Sequence, residues 1–432
     1  MAAERASARG VALTLLSGVL ERGQFLDTGL DRNEAWKALT ARDRAFARLL
    51  VATLLRRLGQ IDALLDHCLQ RPLKPRQTDL KNLLRLGAVQ LLFLDTPPHA
   101  AVSTALALAE ARPRLAGQKG LLNAVLRRLA REGADLVARQ DAARLNTPDW
   151  LWASWSDFYG EATARAIAAA SLEEAPLDLT AKEKATVWAR RLDGSVLFDR
   201  TIRLTESSGD VTRLPGYGDG AWWVQDAAAA LTAGLLQGEP GARVIDLCAA
   251  PGGKTALLTT KGYEVTAVDR SAFRLKRLEA NLARLALQAE VRVGDALQWR
   301  PAAKADAVLL DAPCSATGTL RRHPDLKHLR RPQDLAAIVQ LQQGLIEAAL
   351  EMLRPGGQLL YVVCSLQPEE GPDQISALLA RRGDVRRQAI APEEVHQRAE
   401  FLTPEGDFRS LPNHLAEKGG LDGFYACRLI KV

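Results

Sequence analysis

Asp311-Ala312-Pro313-Cys314-Ser315 and Val362-Val363-Cys364-Ser365 each place a cysteine at the end of an apolar run of strand type, about fifty residues apart, in a chain with five cysteines. A thiolate is nucleophilic and polarisable near neutral pH when its neighbours lower its pKa, which suits addition to an electron-poor carbon such as C6 of a pyrimidine. A second thiol beside the first can help to dismantle the adduct. Asp311 and Pro313 precede one cysteine, while Ser365 and the turn Pro368-Glu369-Glu370 follow the other. Cys248 and Cys427 read instead as small core residues.

A third segment offers a ligand cradle. Val244-Ile245-Asp246-Leu247 reads as a buried strand, Cys248-Ala249-Ala250-Pro251-Gly252-Gly253 as a turn, and Lys254-Thr255 as the start of a helix. In that arrangement backbone N–H groups approach a ligand closely. A P-loop needs glycine where Cys248 stands, five residues before Gly253-Lys254-Thr255, and the turn lacks the Gly-x-Gly-x-x-Gly of a dinucleotide site. The expected ligand is a nucleoside cofactor. Asp269 follows Asp246 by about 20 residues, the interval at which a carboxylate meets ribose hydroxyls.

These segments resemble the signature motifs of the RNA cytosine-C5 methyltransferases, the Nop2/Sun (NSUN) family: Asp246 to Thr255, the run from Asp311, and Cys-Ser-x-x-Pro-Glu-Glu from Cys364 to Glu370. Arg42 to Phe46, Leu84 to Leu92 and Lys119 to Arg128 are similar to the NusB-like domain of the bacterial RsmB/Sun branch, which methylates 16S ribosomal RNA. The resemblance implies S-adenosylmethionine as cofactor. It sets Cys248, Ala249, Ala250, Pro251, Gly252, Gly253 and Lys254 at the cofactor's amino-acid end, with Asp295 and Asp311 nearby. It makes Cys364 the nucleophile and Cys314 the residue that assists breakdown of the adduct, and it places Trp222-Trp223 near cofactor and base. Asp311, protonated or sharing a proton, would be the acid that meets charge developing toward N3 and O2. The chain departs from the family at Leu177 to Ala181, at His328 where tryptophan is usual, and at Gly371 where asparagine is usual.

The elements that must position these residues fall into three stretches. From Ala3 to about Glu132 apolar residues recur at helical spacing, for example Val11, Leu15, Leu16 and Val19, which predicts an all-α domain over 1–140, NusB-like by the resemblance above. A small α+β connector is expected over 141–220, with a helix after Pro148 and a strand at Leu177 to Thr180. Over 221–432, Val244 to Leu247, Glu264 to Val268, Glu290 to Val293, Ala307 to Leu310 and Gln358 to Val363 alternate with helical sequence. That alternation predicts an α/β Rossmann-like domain, a doubly wound parallel sheet with ligands at the carboxyl ends of its strands.

Charge adds a partner. Residues 1–140 carry about 22 Lys and Arg against about 13 Asp and Glu, about +9 in a chain of net +6, the footprint of a phosphate-backbone binder. The loop from Thr319 to His328 is expected to grip RNA phosphates through Arg321, Arg322, His323 and Lys327. No long apolar run or charged apolar leader is present, and five scattered cysteines with no paired spacing favour neither disulfides nor zinc. The expectation is a soluble cytoplasmic monomer without metal, acting on 16S ribosomal RNA. The alternative is an RNA-binding or antitermination-like factor whose cofactor fold no longer catalyses.

Overall fold

The N-terminal periodicity folds as helices. The computed structural model describes residues 7–204 and 209–432, so the helix start expected at Ala3 lies outside the described residues. Ser7 caps α1 (Ala8–Arg22), accepting the Gly10 amide at 3.1 Å, and Gly23 at φ 65° ends it. There follow α2 (Ala41–Arg56), α3 (Leu58–Cys68), α4 (Thr78–Phe93), α5 (Pro98–Glu110) and α6 (Lys119–Ala138). Their apolar stripes, carrying Leu16, Leu50, Leu54, Ile61, Leu84 and Leu126, form one core.

Two more helices, α7 (Asp149–Tyr159) and α8 (Glu161–Ala170), complete a unit made of Met1–Glu173 and Leu320–Arg331. The compact units thus differ from the expected divisions at 140 and 220, and the reason is local packing. The Gln60 amide donates to Asn146 Oδ1 at 3.2 Å and Asn146 Nδ2 returns a bond to Gln60 Oε1 at 2.9 Å, both residues being buried. A Cβ on Gly59 would lie 1.7 Å from the Leu145 carbonyl oxygen, so only glycine lets the chain after residue 140 lie against α3.

The excursion Leu320–Arg331 is bound into this helical unit by main-chain groups. Asp325 Oδ2 accepts the Leu26 amide at 2.9 Å, and Arg56 Nη2 donates to the Arg321 carbonyl at 3.0 Å. Lys327 Nζ donates to the carbonyls of Arg56 and Asn146 at 2.8 and 2.9 Å, and His328 Nε2 to that of Leu55 at 2.8 Å.

The other unit is Glu174–Thr319 with Pro332–Val432. It opens with a small antiparallel sheet of order β2-β3-β1-β4, from β1 (Asp178–Ala181), β2 (Gly194–Phe198), β3 (Thr201–Leu204) and β4 (Trp222–Val224). Its larger sheet has β5 (Arg243–Leu247), β6 (Glu264–Asp269), β7 (Glu290–Val293), β8 (Ala305–Asp311) and β9 (Leu353–Val363), running parallel in the order β7-β6-β5-β8-β9. All five were legible as strands. The sheet then continues antiparallel, through β10 (Val385–Arg387), β11 (Phe408–Ser410) and β12 (Phe424–Lys431), with β12 between β9 and β10. It is therefore mixed rather than purely parallel.

Alternation along the strands feeds two cores. Leu309, Leu360 and Val362 face α9 (Ala227–Gly234), α10 (Gly253–Thr260) and α11 (Ala272–Leu285), whereas Val308, Leu310 and Val363 face α12 (Pro332–Met352) and α13 (Pro372–Arg381). Register pairs Leu247 with Val268 and with Leu310, and Asp311 with Val362. The carboxyl ends of the strands are therefore level, and the residues after them share one rim. Among the described residues no helix is long and apolar enough to cross a membrane.

Candidate active site

Cys248, Cys314 and Cys364 each follow a strand at that rim, ending β5, β8 and β9. Cys314 Sγ and Cys364 Sγ are 3.4 Å apart, and both residues are partly accessible. The hydrogen bond to Cys364 is the largest influence on Cys314. With burial, the Cys364 charge and the Glu370 carboxylate it holds the Cys314 thiol well above the usual range. Either sulfur can donate across that contact, and the raised pKa favours Cys314 as the one that keeps its proton. Cys248 is different: burial, reinforced by Asp311, Asp269 and Asp246, pushes it to about 12, so it stays an inert thiol. Cys427 is fully buried in β12.

Lys254 Nζ donates to Asp311 Oδ2 at 2.6 Å and lies 5.2 Å from the Phe424 ring centroid. Burial alone would lower the Lys254 pKa, but the Asp311 carboxylate more than offsets it, with the Cys364 charge adding to the rise. The expectation that Asp311 is itself the proton carrier is refined: an ammonium 57 residues away in sequence occupies its carboxylate. Beneath them Asp246 is fully buried, accepting from Thr255 Oγ1 at 2.6 Å. Burial, together with Asp311 and Asp269, lifts it to about 7.

The turn from Cys248 to Gly253 is shaped as a cradle. Gly252 has φ 101°, and a Cβ there would approach Leu278 Cγ to 2.8 Å, so glycine allows both the turn and its seat on α11. Asp269 is 3% exposed; Oδ2 accepts the Ala250 amide at 3.2 Å and Oδ1 the Ser271 amide at 2.9 Å. A carboxylate has about four acceptor sites, so capacity remains for a diol. Asp295 opens the turn after β7, accepting the Leu297 amide at 3.0 Å. A cavity of about 120 Å³ lies among Cys248, Asp269, Arg274, Asp295, Ala296 and Pro313. Acidic groups on an apolar wall fit the adenosine part of S-adenosylmethionine.

Arg274 was not legible as part of this rim. Its guanidinium bonds the Ala250 carbonyl and lies 3.5 Å from Asp269 Oδ2. Its place, five residues beyond Asp269 in the first turns of α11, is the only sequence signal it carries.

Two expectations are corrected. Arg321 and Lys327 are 2% and 6% exposed within the helical unit, and the Lys327 amine is spent on two carbonyls rather than offered to phosphate. Burial, then Arg56 and Arg57, lowers Lys327 to about 7, and burial, then Lys327, lowers His328 to about 3. Arg322 and His323 remain partly exposed. Trp222 and Trp223 are core: Trp222 Nε1 donates to the Pro215 carbonyl at 3.0 Å, and Trp223 Nε1 to Gln225 Oε1 at 2.8 Å.

A glycine-rich turn after the first parallel strand, acidic residues after its neighbours and a five-stranded parallel core extended by antiparallel strands together define an S-adenosylmethionine-dependent methyltransferase. Residues 233–430 match the model of the 16S rRNA methyltransferase RsmB/F family, and residues 6–131 that of the NusB family. The ribosomal RNA small subunit methyltransferase B of Vibrio vulnificus is 36% identical over 98% of this chain and 99% of its own length. That of Pseudomonas putida is 37% identical over 99% and 98%. The chain belongs to the RsmB/F methyltransferase family. The crystal structure of PH0851, 21% identical, shares the fold with a TM-score of 0.73 over 99% of this chain and 98% of that one. A methyltransferase homolog from Pyrococcus horikoshii, 25% identical, aligns with a TM-score of 0.56 over 68% of this chain and 98% of its own.

Proposed function

We propose that this chain methylates C5 of a cytosine in small-subunit ribosomal RNA, with Cys364 as nucleophile. The observation that carries the reading is the pair of thiols 3.4 Å apart on the rim that also holds the Lys254–Asp311 ion pair. S-adenosylmethionine supplies an electrophilic methyl group, seated by the Cys248–Lys254 turn, Asp269 and Asp295.

The Cys364 sulfur adds to C6, and the π pair of C5=C6 moves onto C5. Charge spreading toward O2 and N3 meets the Lys254 ammonium, which Asp311 fixes in place. After methylation the C5 proton passes to a base, its electron pair re-forms C5=C6, and the C6–S bond breaks with the electrons returning to sulfur.

Cys314 fits the base role because of what raises its pKa. Two of the causes are its bond to Cys364 and the Cys364 charge, and both vanish once that sulfur is bound to carbon. The thiol that stays protonated while Cys364 attacks thus becomes easier to ionise after attack. The pair takes the thiolate role in turn.

RNA recognition is assigned to the basic helical unit together with Arg322 and His323. The thiols must stay reduced, which supports a reaction in the cytoplasm. Bisulfite sequencing of small-subunit rRNA from cells with and without this chain tests the reading: loss of one protected cytosine is expected, and an unchanged pattern refutes it. A purely RNA-binding role leaves the partly buried Lys254–Asp311 pair and the adjacent thiols without a task.

A further inference from the structure

Behind the two thiols lies a carboxylate that none of these steps uses. Glu370 is fully buried, in the short turn Pro368–Glu370 after β9. Its Oε1 accepts the Ser315 amide at 2.8 Å and Gln342 Nε2 at 3.0 Å, and its Oε2 accepts the hydroxyls of Ser315 and, at 2.5 Å, Ser365. Its own carbonyl accepts the Tyr361 hydroxyl at 2.7 Å. Ser315 and Ser365 are the residues immediately after Cys314 and Cys364.

A buried carboxylate is costly unless its acceptor sites are filled. Here four donors fill it, from the loop after β8, the loop after β9 and α12. Secondary bonds reinforce the junction. Gly318 donates to the Cys364 carbonyl at 3.0 Å, the Leu366 amide to Thr317 Oγ1 at 3.0 Å, and Gln342 Nε2 also to the Pro313 carbonyl at 2.9 Å. Neither cysteine loop belongs to a regular element at the position of its sulfur. The 3.4 Å separation therefore depends on what joins the loops.

We infer that Glu370 is a positioning residue: its carboxylate clamps the two cysteine loops together and so sets the distance between the thiols. The inference rests on the covalent reading above, but its geometric content can be measured without RNA or cofactor. Among the described residues, Lys254, Tyr361 and Glu370 interact electrostatically with the pair, Asp311 holds Lys254, and Arg409 Nη1 donates to the Ser365 carbonyl at 2.6 Å. Of these, Glu370 alone bonds to both cysteine loops among the described hydrogen bonds.

A glutamine can keep most of the clamp. Its Oε1 can accept from the Ser315 amide and Gln342, while its Nε2 donates to the two serine hydroxyls, which rotate to accept. An alanine removes it.

The test uses the full chain and phenylarsine oxide, an arsenical that bridges two neighbouring thiols with release of water. Mass spectrometry should find one arsenic across Cys314 and Cys364 in the parent chain and in E370Q. In E370A the bridge should be lost. Covalent RNA adduct should fall about 100-fold in E370A, the scale of an ångström misplacement, with S-adenosylmethionine affinity unchanged and E370Q restoring most of it. If E370A does not fold, S365A, which removes one donor to the clamp, is read the same way, with partial loss of bridging expected. Parent-like bridging in E370A, or in S365A when that is the variant read, overturns the inference whatever happens to methylation. Loss of bridging with methylation retained leaves the clamp standing and shows that turnover does not need the 3.4 Å separation of the thiols.

Discussion

Removing Cys314 should trap the reaction half-way. In Cys314→Ala the attacking sulfur and the Lys254–Asp311 pair are untouched, so Cys364 can still bond to C6. What is lost is the base. C6 is one bond from the Cys364 sulfur and C5 one bond further, so a thiol 3.4 Å from that sulfur is close to where the C5 proton is expected. A positioned general base contributes roughly 10²–10⁴-fold, which is about 3–5 kcal/mol on the elimination barrier. Water at the vacated position recovers a small part. Adduct breakdown should therefore slow by two to four orders of magnitude while adduct formation changes little. The assay is denaturing electrophoresis of the chain incubated with small-subunit rRNA and S-adenosylmethionine. Cys314→Ala should show a stable protein–RNA band and Cys364→Ala none. A band in Cys364→Ala that is absent from Cys314→Ala would move the nucleophile to Cys314. Full methylation by both variants would refute covalent catalysis.

Asp269→Ala removes a buried acceptor that both pins the Ala250 amide and faces the proposed ribose, and hydrogen bonds to charged groups are worth about 1.5–3 kcal/mol each. Calorimetry should show S-adenosylmethionine affinity falling tenfold or more in a folded chain; unchanged affinity would sink the ribose assignment. Gly318→Ala places a Cβ 1.9 Å from the Gly423 carbonyl oxygen, so the loop after β8 must shift; methylation should fall at least tenfold by the same misplacement argument, and parent-like turnover would count against a rigid site. Lys327 titrates at about 7 folded against 10.5 unfolded, so between those values the unfolded chain binds more protons and stability rises with pH. Relative to Lys327→Met, the unfolding free energy of the parent chain should climb by up to about 1.4 kcal/mol per pH unit across that window; a constant difference would show that the lysine is charged in the folded chain.

Much of the site could be read before the fold because its residues sit where secondary structure ends. Strand-type runs closing at Leu247, Val268, Leu310 and Val363 are local patterns, and ligands of open α/β sheets gather at such ends. The partners of Asp311 and Glu370 were hidden for the opposite reason. Lys254 reaches Asp311 across 57 residues, and Ser315 reaches Glu370 across 55, pairings that only sheet register creates. Lys327 misled because composition cannot distinguish a solvated cation from one bonded to buried carbonyls. The antiparallel strands at the end of the chain were missed too: Gly419-Gly420 and Asp422-Gly423 mark turns before Phe424 to Lys431, but the strand's place beside β9 is set by tertiary pairing.

The excursion Leu320–Arg331 has a consequence for the order in which the chain can be completed during synthesis. Helices α1 to α8 emerge first, yet Asp325, Lys327 and His328, which satisfy the Leu26 amide and the carbonyls of Leu55, Arg56 and Asn146, follow Glu173 by more than a hundred residues. At about 5–20 residues per second the wait for Arg331 is about 8–30 s. Through that interval the Leu26 amide and the carbonyls of Leu55, Arg56 and Asn146 lack these side-chain partners. The nascent helical unit should be digested by protease faster in chains arrested before Leu320 than in chains arrested past Arg331 with that segment clear of the ribosome. Equal digestion would show that the helices close without the segment. The helical unit is thus finished only after the strand that ends at Asp311 has been made, so a chain cut short before Cys314 also lacks a completed helical unit.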